Sequence, residues 1–196
     1  MTILKDGKGR GYRAGVNAQN RLDTNSVTTD TEDNAIRTGD GWQITSGPIT
    51  LTGSSASAIL YVENTGEADF VLDRAVLLLG TATNAATGSD WTFQTLRNPT
   101  TGTIVTNAVA AGVSNSNHGS SKIPSANSYK GVEGDTLTDG TGAALPIKQS
   151  EARLTFPLGR RLPTGASIGW KITPPSGNTS ATAIVVGHFF YDTSEG

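Results

Sequence analysis

The chain has 196 residues and no cysteine, which excludes a disulfide scaffold and any metal site built on thiolates. Charged residues are scarce at 16%, whereas a helical bundle is normally rich in them. Long apolar runs are also missing: the densest, residues 75–79, is far shorter than the roughly 20 residues of a membrane span. The first residues lack the apolar core of a secretory signal, so we expect synthesis in a cytoplasm and no membrane partner.

Four small residue types dominate the composition instead. The chain has 24 Gly, 28 Thr, 17 Ser and 12 Asn, which together make up 81 of the 196 residues. Glycine and β-branched threonine are poor helix formers, so this composition favours strands and turns. Hydrophobic residues, at 35%, are enough for one lean core, and the length suits a single β domain.

Alternating apolar and polar residues begin at Trp42 and recur to the end of the chain, with Gly, Pro and Asn turns between them. This pattern predicts an all-β fold, a β-sandwich or jelly roll of about eight to ten antiparallel strands. We expect the last strand to pair with residues 58–63 or 70–79. The residues expected on the inner face of 70–79 are Val71, Ala75, Leu77 and Leu79. The predicted strands are residues 42–45, 49–52, 58–63, 70–79, 91–96, 102–106, 152–156, 166–173 and 181–191.

Two polar segments lie outside these strands. Residues 1–40 show little periodicity and predict an extended N-terminal arm, with a short helical turn between 31 and 39 left open. Residues 41–196 then form one β domain. Within it, residues 107–150 are rich in Gly, Ser and Asn and predict a long loop excursion, which holds either short strands or a helical turn near 125–129.

The net charge of −2 is unevenly distributed. Residues 1–22 carry five basic side chains and one acid, whereas residues 23–73 carry nine acids and one arginine. The basic segment lacks the density and the interleaved aromatic residues of a nucleic-acid site. We therefore expect no nucleic-acid partner and interpret the segment as docking on an acidic protein surface. Its basic residues are Lys5, Lys8, Arg10, Arg13 and Arg21.

Motifs of catalysis and cofactor binding are missing from the sequence. It has no P-loop, nucleophile elbow, His-Glu-x-x-His or dinucleotide fingerprint, and the glycines of residues 7–11 follow no predicted strand. His118 and His188 are the only histidines, one in a polar loop and one in the last strand. A zinc site with two histidines would need both, and no motif fixes a Ser/His/Asp triad. We therefore expect no enzymatic activity, no cofactor and no metal.

Two groups of acids leave other chemistry open. For Glu133 and Asp135 we favour a turn with solvated carboxylates over one half of a glycosidase acid pair. The second group offers oxygen ligands of the kind that Ca²⁺ prefers, although its spacing matches no EF-hand loop. Its members are Asp30, Glu32, Asp33 and Asp40.

The three tryptophans have two interpretations. Trp42, Trp91 and Trp170 could form an aromatic platform for a sugar. Each lies in an alternating stretch with apolar neighbours, however, and such residues usually pack in a core. We therefore interpret all three as core residues.

Several stretches that follow one another along most of the chain carry a family resemblance. Two of them are Gly-Asp-Gly-Trp-Gln-Ile-Thr-Ser-Gly-Pro-Ile-Thr-Leu-Thr at 39–52 and Gly-Ala-Ser-Ile-Gly-Trp-Lys-Ile-Thr-Pro at 165–174. In these stretches the chain resembles virion structural proteins of tailed bacteriophages, the head decoration or capsid cement proteins. They are turns and strands and carry no catalytic signature. The other stretches are residues 16–22, 59–64, 98–105, 129–131, 138–140 and 177–180.

The resemblance implies a β-sandwich or jelly roll on the outer capsid surface of a virion. Such proteins are often homotrimers that stabilise the shell by bridging subunits of the major capsid protein. On this view Lys5, Lys8, Arg10, Arg13 and Arg21 contact acidic patches of the capsid, and Phe189, Phe190 and Tyr191 form a subunit interface. The alternative is a tail-fibre or spike head domain whose 107–150 loops bind a host surface glycan.

Overall fold

The computed structural model describes residues 15–16, 22–23, 31–52, 55–80, 90–147, 153–175 and 179–190. Contacts within the chain form two units, Met1–Asp30 and Thr31–Gly196. In the first unit, strands β1 (Gly15–Val16) and β2 (Leu22–Asp23) pair antiparallel. Within residues 1–30 of the predicted extended arm, the structure describes these two strands.

The described part of the second unit contains two helices and twelve strands. It begins with α1 (Thr31–Thr38), β3 (Gly41–Thr45), β4 (Ile49–Leu51), β5 (Ser57–Asn64), β6 (Asp69–Leu79) and β7 (Trp91–Arg97). It continues with α2 (Thr103–Thr106), β8 (Val109–Ala110), β9 (Gly112–Asn115), β10 (Ala126–Lys130) and β11 (Thr141–Ile147). The last three strands are β12 (Arg153–Leu162), β13 (Ser167–Thr173) and β14 (Thr179–Phe190). No helix in these ranges is long and apolar enough to cross a membrane.

The twelve strands form two antiparallel sheets. Sheet I has the order β11-β7-β13-β5-β10-β8, and sheet II has the order β12-β6-β14-β3-β9, with β4 also paired to β14. The all-β sandwich prediction is confirmed. The last strand pairs with β6, one of its two predicted partners. Eight of the twelve strands lie outside residues 107–150, and that segment contributes the other four.

The main core lies between the two sheets. Trp91 and Trp170 from sheet I are buried in one cluster with Trp42 and Phe70 from sheet II. The three tryptophans are at most 3% exposed, which confirms their interpretation as core residues. Phe70 also pairs with the ring of Phe189, whose centroid lies 4.8 Å away.

The inner face of β6 changes at a β-bulge. Leu72 is buried before the bulge and Ala75 after it, while the pairing with β14 skips Asp73 between them. The extra residue shifts the alternation of side chains by one position. The prediction that Val71 lies on the inner face is therefore wrong, because Val71 precedes the bulge and is only partly buried. The three predicted inner positions after the bulge are buried, as expected.

Residues 107–150 supply edge strands to both sheets. In sheet I, β10 pairs with β5 and β11 pairs with β7, and in sheet II, β9 pairs with β3. Three of the four sheet edges, β8, β9 and β11, therefore come from the segment predicted as a loop excursion. Short strands, one of its two predicted contents, are present. The other, a helical turn near 125–129, is not formed because these residues belong to β10.

Helix α1 lies where the sequence left a short helical turn open, between residues 31 and 39, and it contacts β3 and β14. Helix α2 differs from the sequence prediction. Helix α2 replaces a strand predicted at 102–106 from its β-branched residues. Gly102, with φ of 139°, precedes α2, and Ile104 of this helix enters a second buried cluster. This cluster lies on the outer face of sheet I and contains Ala58, Tyr61, Leu96, Ile104 and Leu137.

Candidate interaction surface at the open edge of the sandwich

Of the residues predicted to contact the capsid or a second subunit, the structure describes Phe189 and Phe190. Phe189 is 6% exposed and packs in the main core, and its assignment to a subunit interface stays a prediction. Phe190 is partly buried, and the guanidinium carbon of Arg161 lies 4.6 Å from its ring centroid. The remaining predicted contact residues lie outside the described ranges: Lys5, Lys8, Arg10, Arg13, Arg21 and Tyr191.

Two of the four acids considered for Ca²⁺, Glu32 and Asp40, form separate ion pairs. Arg74 Nη1 donates to Glu32 Oε1 at 3.0 Å, and Lys122 Nζ donates to Asp40 Oδ1 at 2.8 Å. Asp30 lies outside the described residues. Within the described ranges, no three His, Asp or Glu side chains are grouped so that they could hold a metal ion.

Glu133 and Asp135 organise turns, as the favoured interpretation expects. Glu133 accepts hydrogen bonds from the amide and the hydroxyl of Thr52, at 2.6 and 2.8 Å. Asp135 accepts from the amide of Val132 and from the hydroxyl of Thr103, both at 2.8 Å. These bonds connect the turn after β10 to the end of β4 and to the start of α2.

A third carboxylate, Asp139, was not singled out from the sequence. It accepts hydrogen bonds from the hydroxyl of Thr100 at 2.6 Å and from the amides of Thr100 and Thr101 at 2.9 Å. These bonds lower the pKa of Asp139 from its ordinary value of 3.8 to about 2. The carboxylate therefore stays ionised and fixes the connection that follows β7.

The two histidines lie in separate settings. His188 is 4% exposed, and its Nδ1 lies 2.9 Å from Oδ2 of Asp73 in the β6 bulge. His118 is exposed in the connection between β9 and β10. Because a carboxylate pairs with its Nδ1, His188 is more simply explained as a buried histidine with a satisfied hydrogen bond than as a metal ligand.

One side of the sandwich is closed by a single short segment. Strand β8 is the edge of sheet I and β9 is the edge of sheet II, and only Ala111 separates them. Ala111 is 9% exposed and packs in the main core. The chain therefore crosses from one sheet to the other at this side and covers the space between them.

The opposite side of the sandwich is bounded by β11 and β12. Among the described strands, β11 pairs with β7 alone and β12 with β6 alone. Six of the seven residues of β11 are exposed, and its sequence, Thr-Gly-Ala-Ala-Leu-Pro-Ile, has no charge. Pro146 has no backbone N–H and so offers no donor to a further strand near the end of this edge.

An apolar cleft of about 280 Å³ lies between these two edges. Its walls include Phe93 of β7, Trp170 of β13 and Leu145 of β11 from sheet I, and Phe156 and Leu158 of β12 from sheet II. The rings of Phe93 and Phe156 stack with their centroids 5.6 Å apart and so connect the two sheets.

A basic pocket of about 390 Å³ lies beside the cleft. Arg160 lines both, so the apolar and basic regions are neighbours. Arg97 and Arg161 also line the basic part, and its described lining contains no acidic residue. Arg161 Nη1 lies 3.7 Å from Oδ2 of Asp69, which partly balances the charge of that one arginine.

This arrangement suits a ligand that combines an apolar body with an anionic group. Guanidinium groups remain charged at all physiological pH values and bind carboxylates or phosphates through paired N–H donors. The apolar walls add a hydrophobic contribution that grows with the area covered. The sequence contains the Arg160-Arg161 pair as a signal, but only the packing of sheet I on sheet II brings Arg97 to the same place.

Comparisons with known proteins add little. No protein-family model matches the chain, and no curated protein matches it. Among solved structures, a chain of the T13 IBDV viral particle is similar to it with a TM-score of 0.24 and 12% sequence identity. The match covers 76% of this chain and 31% of that chain, so this protein corresponds to about a third of the other's length.

Proposed function

We propose that the chain is a structural protein of a tailed-bacteriophage virion, which binds the outer capsid surface and bridges subunits of the major capsid protein. The observation that supports this proposal is the side between β11 and β12, here called the open side because no further described strand covers it. In a free protein, an exposed and uncharged edge strand is a template for pairing with other chains, and sheet edges are usually charged or covered. We therefore expect a partner to cover this side in the working assembly.

Strand addition is the binding mode that the open side favours. A partner segment that pairs with an edge gains main-chain hydrogen bonds, while its alternate side chains enter the cleft. On a symmetric shell, many copies of one modest contact produce strong overall binding. In this proposal the chain performs no catalysis and is held in the virion by such contacts.

The basic residues of 1–22 provide a second contact in the same proposal. Acidic patches of the capsid would be contacted by Lys5, Lys8, Arg10 and Arg13. Each chain would be part of a homotrimer. Deleting residues 1–22 should then lower the occupancy of capsids, and unchanged occupancy would contradict this second contact. Neutral glutamine substitutions at the same four positions are the matched control, because they remove the charge but keep the chain length.

The main test uses undecorated capsids of the virus that encodes the chain. Purified protein should sediment with these capsids, and electron microscopy should show it at symmetry-related positions on the shell. A location restricted to the tail would contradict the proposal. A glycan array completes the test, because specific retention on the array together with a tail location would favour the alternative of a host-glycan-binding domain.

A further inference from the structure

We infer that the cleft between β11 and β12 binds an extended segment of the capsid partner, in which apolar side chains are followed by an acidic one. This inference rests on the proposed function, because it specifies the chemistry of the partner at the same open side. It depends on three features of the cleft: its uncovered apolar wall, its length along the strands and its basic end.

The apolar wall of β12 is incompletely covered. Leu154, Phe156 and Leu158 alternate with exposed residues along this strand and pack against the main core, yet all three remain only partly buried. Because each is a large apolar side chain, covering it would give a favourable hydrophobic contribution of roughly 25 cal/mol per Å². A segment inserted beside β12 would supply that cover.

The length of the cleft suits an extended chain. Phe93, Thr95 and Arg97 alternate along β7 and so share one face, and Trp170 and Ile168 of β13 lie opposite Thr95 and Arg97 in register. The distance from Phe93 to Arg97 along a strand is about 13 Å, at roughly 3.3 Å per residue. A partner strand of similar length would direct three alternate side chains into the cleft, two toward the apolar part and one toward the arginines.

The arginines at the basic end favour an acidic residue as the third inward side chain of the partner strand. Arg97 and Arg160 are exposed, and Arg161 is held between Asp69 and the ring of Phe190. A carboxylate in this pocket can accept paired hydrogen bonds from a guanidinium, whereas a lysine or arginine there would be repelled. Charge complementarity therefore favours Asp or Glu at this position of the partner.

The first experiment measures the affinity of the full chain for undecorated capsids. We expect the double variant Arg97→Gln/Arg160→Gln to bind about tenfold more weakly or worse, as for the loss of a charged hydrogen bond. The matched control is Arg153→Gln, which changes an exposed arginine on the same strand β12 outside the cleft lining. Equal affinities of the double variant and the unmodified chain would overturn the inference. Tryptophan fluorescence confirms that each variant is folded.

The second experiment locates the partner by photo-cross-linking. A benzophenone amino acid replaces Leu158 in the cleft, or Leu78 as an exposed control on β6 outside the cleft lining. A cross-link from position 158 alone to an Asp- or Glu-containing segment of the major capsid protein supports the inference. Capsid binding without this cross-link, or a cross-link to a second copy of the chain, overturns the inference but not the capsid-binding function. A chain that does not bind capsids contradicts both.

Discussion

Replacing Leu137 with alanine should destabilise the whole sandwich, although this residue lies in the segment predicted to be a loop. Leu137 is 3% exposed and belongs to the second cluster, on the outer face of sheet I. It lies so close to the backbone of β13 that a methyl group added at Gly169 would overlap its side chain. The backbone carbonyl of Leu137 also accepts a hydrogen bond from Lys171 Nζ at 3.3 Å. The segment between β10 and β11 is thus anchored to the sheet through this residue.

The size of the effect follows from the burial of Leu137. A buried leucine replaced by alanine costs about 2–5 kcal/mol, depending on how far the site relaxes. The second cluster has only five buried members and lies near the surface, so we expect about 2–3 kcal/mol. For a domain of this size, a loss of that magnitude corresponds to a decrease in Tm of about 4–12 °C.

Urea unfolding followed by tryptophan fluorescence measures this loss. The three tryptophans are buried in the main core, so they report on the sandwich and not on the substituted site. We expect one transition with a lower midpoint and an unchanged slope. Leu145→Ala is the matched control, because the same substitution at a residue 47% exposed should cost less than about 0.5 kcal/mol. Equal shifts for the two variants would refute the assignment of Leu137 to a buried cluster.

Two further predictions concern the connections around the second cluster. Asp139→Asn removes a carboxylate whose pKa is lowered by Thr100, so it should cost about 1 kcal/mol at neutral pH. In the unmodified chain, the stabilisation by ionised Asp139 should be lost as the pH falls from 3.8 toward about 2. Urea midpoints measured over this pH range should therefore fall less for the variant than for the unmodified chain. Gly131→Ala would place a methyl group on the carbonyl oxygen of Ala58 and should cost about 1–3 kcal/mol by overpacking. Gly119→Ala is the control, because a methyl group there makes only ordinary contacts, and it should leave the Tm nearly unchanged. An equal decrease in Tm for both variants would contradict the predicted overlap between the added methyl group at position 131 and Ala58.

Strands with one buried face could be predicted from the sequence. Strands β3, β7 and β13 alternate apolar and polar residues, and each was predicted to within one or two residues of its observed bounds. Strand β5, predicted at 58–63, has a continuous run of apolar residues in place of an alternation. The structure supplies the reason: Leu60 and Val62 enter the main core, while Ala58 and Tyr61 enter the second cluster. Burial on both faces removes the polar positions of an alternating pattern.

The elements that were missed lack that pattern for physical reasons. Edge strands β8 and β9 and nearly all of β11 are exposed on both faces, so no apolar periodicity marks them. Helix α2 has only four residues, too few for a helical period, and its Thr-Ile-Val-Thr sequence favours a strand locally. The position of Ile104 in the second cluster overrides that preference. The bulge at Asp73 likewise depends on pairing with neighbouring strands, which a single strand does not reveal.

The candidate site was less predictable than the fold, since its residues come from strands far apart in the sequence. Arg97 ends β7, whereas Arg160 and Arg161 lie near the end of β12, and the two strands belong to different sheets. The Arg160-Arg161 pair is visible in the sequence, but no local motif marks Arg97. Their proximity requires the order of strands in both sheets, which alternation alone does not specify.

The asymmetry between the two sides of the sandwich connects composition with the proposed function. At one side, the segment 109–115 (Val-Ala-Ala-Gly-Val-Ser-Asn) serves as the edge of both sheets and places Ala111 between them, so the chain covers its own core. At the other side, β11 and β12 are separate edges, and Phe156 and Leu158 remain half-buried between them. No further described strand covers that side, so it is where we expect a partner chain to complete the core.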